Sequence, residues 1–212
     1  MLEGSLIALM LAASGAVSAN ENIDVKAQEV IERTRTTTLT HAIYYQAHSF
    51  VKGAEPKYWW SAVFHRGSLF RTESAWTRIV ADCASETGTQ VALRARKDRG
   101  NAYSVDPKYA KQACGISADR EILSAKWLGQ KPGRFGLIDQ IEISEKKGSY
   151  VYSVGQRGEI LGVTMTHRGD VSPIVTEAVL VEYQLPAGDL FSKESLRRSI
   201  VPKKIRDLAA PH

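Results

Sequence analysis

Cysteine is scarce in this sequence. The 212 residues contain only Cys83 and Cys114, and no C-x-x-C pair occurs. This scarcity gives no support for a cysteine-based metal site or a thioredoxin-type redox motif, and the sequence predicts no metal site of another kind. In an oxidising compartment the two thiols would pair and close a loop of about thirty residues, a cross-link worth roughly 3 kcal/mol. The alternative is two unrelated buried thiols.

Long hydrophobic runs are also missing. The apolar run within residues 1–19 is too short to span a bilayer. It ends in the small residues Val-Ser-Ala, which suit signal-peptidase cleavage before Asn20. Glu3 precedes the run and no basic residue does, so a buried N-terminal helix stays open as an alternative. We expect residues 1–19 to be a signal peptide, the protein to be secreted or periplasmic, and the mature chain to have no transmembrane span.

Acidic residues are outnumbered by basic ones. The chain has 28 Lys and Arg against 23 Asp and Glu, a net charge of +5 at pH 7. Basic clusters occur at residues 94–99 and 197–204, but neither contains the aromatic residues that stack on single-stranded nucleic acid. We therefore find no specific nucleic-acid signal and expect both clusters to be solvated. The expected partner is an unidentified protein partner or acceptor.

The spacing of apolar and turn residues predicts an α+β fold. Residues 25–50 contain no Gly or Pro and are predicted to form an N-terminal helix. From Tyr58 onward, short β-rich runs separated by glycines predict a mainly antiparallel sheet. Short helical insertions are expected, one at residues 107–114, and a C-terminal helix is predicted at residues 192–200.

These elements predict four parts of the chain. They are the signal peptide (1–19), an N-terminal helical segment (20–56), an α+β core domain (57–187), and a C-terminal helix with a basic tail (188–212).

The triplet His-Arg-Gly occurs twice, at residues 65–67 and 167–169. The flanking sequences do not match, so an internal duplication is not expected. The second triplet is predicted to be a strand end that runs into a turn. The first follows a predicted strand and is a candidate ribose or phosphate site.

Three segments resemble, in this order, the ADP-ribosyltransferase fold of secreted toxins. They are residues 65–68 after a strand, residues 100–110 as a strand that turns into a helix, and residues 175–181 as a late strand. One branch of that superfamily uses His on the first strand, Tyr on the strand-to-helix segment and Glu on the late strand. The resemblance implies an enzyme that cleaves NAD and transfers ADP-ribose to an unknown acceptor.

The resemblance also implies roles for individual residues. Cleavage of NAD builds positive charge on the ribose, which a carboxylate can stabilise. The implied catalytic residues are Glu177, His65 and Tyr103. The implied NAD-binding residues are Arg66, Arg71 and Ser104.

Strand alternation gives Glu177 independent interest. On the predicted strand at residues 175–183, Glu177 shares a face with Val175, Val179 and Val181. A carboxylate on an apolar face needs a partner or a function. The alternative is a residue at a strand end that reaches water or an arginine.

Two other functions are compatible with the sequence. One is a non-catalytic secreted or periplasmic binding or accessory domain without a cofactor, in which Trp59 and Trp60 build the core or a recognition surface. The other is a small basic secreted nuclease with His65 or His41 as general base.

Overall fold

Eleven antiparallel strands form one continuous sheet in the part of the chain that the structure describes. The computed structural model describes residues 22–49, 55–93, 102–104, 110, 113–116, 121–169 and 172–207. The strand order across the sheet is β6–β5–β4–β3–β2–β1–β11–β10–β9–β8–β7. The strands are β1 (His41–Ser49), β2 (Lys57–Arg66), β3 (Leu69–Ser74), β4 (Thr77–Asp82), β5 (Thr87–Ala92), β6 (Ala102–Ser104), β7 (Ser124–Gly133), β8 (Gly136–Glu145), β9 (Gly148–Gly155), β10 (Ile160–His167) and β11 (Ile174–Glu182).

The described part of the chain is dominated by this sheet. Its helical elements are α1 (Val25–Thr36), a 3₁₀ turn (Glu194–Arg197) and α2 (Lys203–Asp207). The prediction of a mainly antiparallel sheet is confirmed, but helices make a smaller share of the fold than predicted. The predicted signal peptide, the basic cluster at residues 94–99 and most of the predicted helix at residues 107–114 lie outside the described residues.

The predicted helix over residues 25–50 is wrong in its second half. Helix α1 ends at Thr36, and residues His41–Ser49 form strand β1 in the middle of the sheet, between β2 and β11. The first five residues of β1 are all buried. A strand covered on both faces lacks the alternation of apolar and polar residues that marks a strand in a sequence.

One face of the sheet packs under α1. The Asp24 side chain caps the helix by accepting a hydrogen bond from the Lys26 amide at 2.7 Å. Val30 and Ile31 of the helix share a buried cluster with Ile141 and Ile143 of β8. The N-terminal helix is therefore held by apolar burial against the β7–β9 part of the sheet.

The C-terminal segment covers part of the opposite face. Val201 and Ile205 share a buried cluster with Tyr44 of β1 and Phe64 of β2. The predicted helix over residues 192–200 is wrong, because only Glu194–Arg197 form a helical turn, of the 3₁₀ type, and the residues on either side are turns and irregular structure. This segment is held in place by hydrogen bonds to side chains of the strands, and not by the backbone hydrogen bonds of a helix.

The first His-Arg-Gly triplet ends β2 and enters a two-residue hairpin turn. Arg66 pairs with Leu69, and Gly67 has a φ of +64°, a conformation that favours glycine. The second triplet ends β10, with Gly169 at φ +96°. The strand end and turn predicted for the second triplet are therefore found at both.

Candidate functional site

A cleft of about 670 Å³ lies on the face of the sheet opposite α1. Gln140 and Ser153 line this cleft, while their strand neighbours Ile141 and Val154 pack under the helix. The cleft extends from the β7–β8 hairpin across β9, β10 and β11 to Tyr58 on β2. Its larger apolar lining residues are Phe135, Ile138, Val151, Leu161, Val163, Val175 and Val179.

Charged side chains line the cleft at the β7–β8 hairpin and on β11. Lys131 and Arg134, at the tip of the β7–β8 hairpin, are exposed and line one end. The Arg134 guanidinium lies over the Phe135 ring, 5.3 Å from its centroid, a contact that orients the arginine. Glu177 of β11 is exposed within the cleft. The cleft therefore combines apolar and uncharged polar side chains with two cations at one end and one carboxylate.

A smaller cavity, of about 110 Å³, lies between the end of α1 and the other face of the sheet. Its lining includes Thr34 and Thr37 from the helix region and His41, Tyr45 and Phe70 from the sheet. A volume this small falls below the range of roughly 300–1,000 Å³ that is typical of ligand sites. The larger cleft is the better candidate for a binding site.

His41 and His65 form a buried pair beside this small cavity. Their ring centroids are 5.1 Å apart, and His65 also stacks on Phe70 at 4.0 Å. Burial lowers the pKa of His65 to about 4, although its Nε2 donates a hydrogen bond to the Gly67 carbonyl at 2.6 Å. Burial also lowers the pKa of His41. Both rings therefore pack as neutral groups in the core.

The three residues that the sequence predicts to be catalytic do not share one cleft. His65 stands opposite His41 in the sheet register, whereas Glu177 stands opposite Gln46. Residues 41 and 46 are an odd number of positions apart on one regular strand, so His65 and Glu177 project from opposite faces. Tyr103 lies on β6, the edge strand, and five strands separate it from β11.

The residues predicted to bind NAD are dispersed in the same way. The Arg66 guanidinium lies over the Phe191 ring, 4.9 Å from its centroid. Arg71 is fully buried, and its donors are used by Glu73, Ser195 and backbone carbonyls. Ser104 lies on β6. Arg71 therefore has no free surface to offer a nucleotide.

The disulfide expected from the sequence is present. Cys83 and Cys114 are joined, with their Cα atoms 5.7 Å apart. Such bonds persist in oxidising compartments. The protein is thus secreted or periplasmic, as the sequence predicts.

No helix among the described residues is long and apolar enough to cross a membrane. In the same part of the chain, no group of three or more His, Cys, Asp or Glu side chains could hold a metal ion.

Comparisons with known proteins show a similar fold but no family. No protein-family model and no curated protein sequence matches the chain. An uncharacterized conserved protein from Thermus thermophilus has a TM-score of 0.50 and 10% identity, covering 85% of this chain and 97% of that one. A LolA superfamily protein from Nitrosomonas europaea has a TM-score of 0.45 and 8% identity, covering 80% and 99%. A domain described as an outer membrane lipoprotein-sorting protein, from Vibrio parahaemolyticus, has a TM-score of 0.37 and 8% identity, covering 82% and 99%.

The resemblance to ADP-ribosyltransferases is wrong. His65 and Glu177 project from opposite faces of the sheet, and five strands separate Tyr103 on β6 from β11, so the three residues do not meet in one cleft. An NAD-consuming transferase is therefore not supported. The nuclease alternative is not supported either. Its predicted general base, His65 or His41, is 0% or 4% exposed and so cannot reach a substrate.

Most of the cleft is not predicted from the sequence. Lys131, Arg134 and Phe135 carry no functional motif, although the run KPGRFG between two β-rich segments marks a hairpin turn. Glu177 is predicted to be functional, but as a catalytic carboxylate. The pairing of β11 with β1 is irregular opposite Tyr44 and Tyr45. Beyond Glu177, the side chains of β11 therefore do not alternate between the two faces of the sheet as the sequence predicts.

Proposed function

We propose that this exported protein is a non-catalytic binding protein that holds an acyl chain of an anionic amphiphile in the cleft. The amphiphile would be a lipid or the lipid-modified end of a lipoprotein. The observation that carries the proposal is the cleft of about 670 Å³, whose lining combines apolar with polar side chains and has two cations at one end. A volume of this size suits a ligand of several hundred daltons.

The apolar side chains of the cleft supply the driving force for binding. Val151 of β9 and Val175 of β11 both stand opposite Thr164 of β10, so they project from the same face of the sheet and line the cleft. Their side chains are half-buried, so a chain laid across them would remove further apolar surface from water. Each methylene that becomes buried contributes about 0.8 kcal/mol, which favours long acyl chains over short ones.

The hairpin tip supplies the preference for an anion. Lys131 and Arg134 carry two positive charges at one end of the cleft, and arginine pairs with carboxylate and phosphate through two parallel hydrogen bonds. The Glu177 carboxylate lies farther along the cleft and would repel a second anionic group. This arrangement favours one headgroup position at the tip.

Displacement of a fluorescent fatty acid from the purified chain tests this function. Ser153→Trp would fill the cleft and is expected to weaken binding at least tenfold, or about 1.4 kcal/mol. Ser149→Trp, on the same strand but outside the cleft lining, is the matched control and should bind like the unchanged protein. Equal affinity in the two variants, or no binding of any fatty acid or phospholipid, would refute the proposal.

A further inference from the structure

Exposed aromatic side chains gather at one end of the sheet, where β2 begins and β3 turns into β4. Tyr58 is 39% exposed and Trp76 is 37% exposed. Trp59 packs against Trp76 with ring centroids 5.8 Å apart. Lys57, which precedes these rings, is exposed. Tyrosine and tryptophan are enriched where proteins meet the headgroup region of a membrane, because one end of the ring is apolar and the other polar.

Two other turns reach the same end of the sheet. Lys57 pairs with Ser49 at the end of β1, and Ser49 pairs with Ile174 at the start of β11. Ile174 in turn pairs with Met165 near the end of β10. The end of β10 and the β8–β9 turn that adjoins it are therefore on the same side of the molecule as the aromatic rings. Three strand spacings, roughly 14 Å, separate β10 from β2.

These turns are basic. Lys147 and Arg168 are both exposed, and the Arg168 amide donates a hydrogen bond to the Lys147 carbonyl at 2.9 Å. The contact holds the β8–β9 turn against the second His-Arg-Gly triplet. Leu123, 39% exposed, adds an apolar side chain beside them.

Acidic groups also lie at this end among the described residues. Glu121 pairs with Lys146 at 3.0 Å, and Glu145 is buried. Glu55 is exposed, and so is Asp24, whose amide donates to the Ala125 carbonyl near the start of β7. Lys57, Lys147 and Arg168 form no ion pair with these acids in the described part of the chain, so three exposed cations remain on the same side of the molecule as the aromatic rings.

We propose that this end of the sheet docks on the surface of an anionic phospholipid bilayer. The surface, called here the basic-aromatic end, consists of Lys57, Tyr58, Trp59, Trp76, Lys147 and Arg168. The rings would enter the headgroup region, and the three cations would face lipid phosphates. The proposal does not depend on a ligand in the cleft, with which this surface shares only Tyr58.

Vesicle flotation with the full chain tests the docking. We expect the protein to float with vesicles of phosphatidylcholine and phosphatidylglycerol, and to remain behind with phosphatidylcholine alone. Binding should fall as salt is raised, because the attraction is screened. Lys147→Ala combined with Arg168→Ala should weaken binding roughly twenty-five-fold, which is a factor of about five for each charge removed.

A matched variant separates a specific surface from the net charge of the chain. Lys203→Ala with Lys204→Ala removes the same charge from exposed positions on α2 and should bind like the unchanged protein. Quenching of tryptophan fluorescence by brominated lipid should fall in Trp76→Phe. Equal binding of the two double variants to anionic vesicles would overturn the proposal. The absence of flotation with anionic vesicles would also overturn it, and that result is expected if a protein partner covers this end.

The variant Lys147→Ala with Arg168→Ala should bind fatty acid in the displacement assay like the unchanged protein. The proposals for the cleft and for the docking surface can therefore be refuted independently of each other.

Discussion

Arg71 and Glu73 lie two residues apart on β3 and form an ion pair of 2.5 Å that solvent does not reach. Both side chains project from the same face of the strand. Arg71 also donates to the carbonyls of Leu190 and Arg198, and Glu73 accepts from the Ser199 hydroxyl at 2.7 Å. The pair therefore ties the C-terminal segment to the sheet.

Arg71→Met should destabilise the protein by about 3–5 kcal/mol, because Glu73 would stay buried without its main partner. The free energy of unfolding in guanidinium chloride measures the loss. Lys26→Met is the control, since it breaks the exposed pair between Lys26 and Glu29, which is worth about 1 kcal/mol or less. If both variants lost equal stability, the role given to the buried pair would be wrong.

The Cys83–Cys114 disulfide connects the turn after β4 to a segment that lies against α1. In that segment the Ile116 amide donates to the Thr34 hydroxyl at 3.0 Å, and Arg35 donates to the Ile116 carbonyl at 3.0 Å. The bond closes a sequence separation of 31 residues. Cys83→Ser with Cys114→Ser should therefore lower the free energy of unfolding by roughly 3–4 kcal/mol.

Reductant provides the control for the disulfide. Adding it to the unchanged protein should lower stability by the same amount, and adding it to the double serine variant should change nothing. A double variant as stable as the oxidised protein would show that the hydrogen bonds to α1 suffice.

Acid should destabilise the fold through His65. Burial lowers the pKa of this imidazole to about 4 from its ordinary value of 6.5. Since the folded protein binds this proton less tightly than the unfolded chain does, stability is lost as the pH falls from 6.5 towards 4. The loss from this group is at most about 3 kcal/mol.

Unfolding free energies measured between pH 7 and pH 4 check the effect. His65→Gln removes one of the two buried imidazoles and should make the pH dependence shallower, whatever its stability at pH 7, while the part due to His41, whose pKa burial also lowers, remains. His167→Gln, in the second His-Arg-Gly triplet, should retain the dependence of the unchanged protein. An equally steep loss in His65→Gln would assign the acid sensitivity to other groups.

The sequence predicts the strands that keep a simple pattern. Strands β8, β9 and β10 are short β-rich runs bounded by glycines, and they fold as predicted. Strand β1 was missed because it is covered on both faces. Strand β7 was missed because it is an edge strand, with Lys126, Lys131 and Pro132 in it. Polar residues and proline are typical of edge strands, where they discourage pairing with other chains.

The cleft could not be predicted from local patterns. It depends on the pairing of β1 with β11, which joins residues more than 120 positions apart, such as Gln46 and Glu177. No short-range pattern contains that information. The sequence does draw attention to Glu177 as a carboxylate among valines, but the catalytic role was inferred from a resemblance that the structure does not support.

Glu177→Gln provides a sharp test of the charge pattern in the cleft. The carboxylate is exposed and lies on the same surface as Lys131 and Arg134. Removing one negative charge should strengthen binding of an anionic amphiphile by about two- to fivefold at low salt, while binding of an uncharged analogue stays the same. Fatty-acid displacement at two salt concentrations measures both. Glu182→Gln, on the same strand but outside the cleft lining, should change neither affinity. A drop in affinity for the anionic ligand in Glu177→Gln would mean that the carboxylate contacts the ligand directly, which contradicts the headgroup position at the hairpin tip.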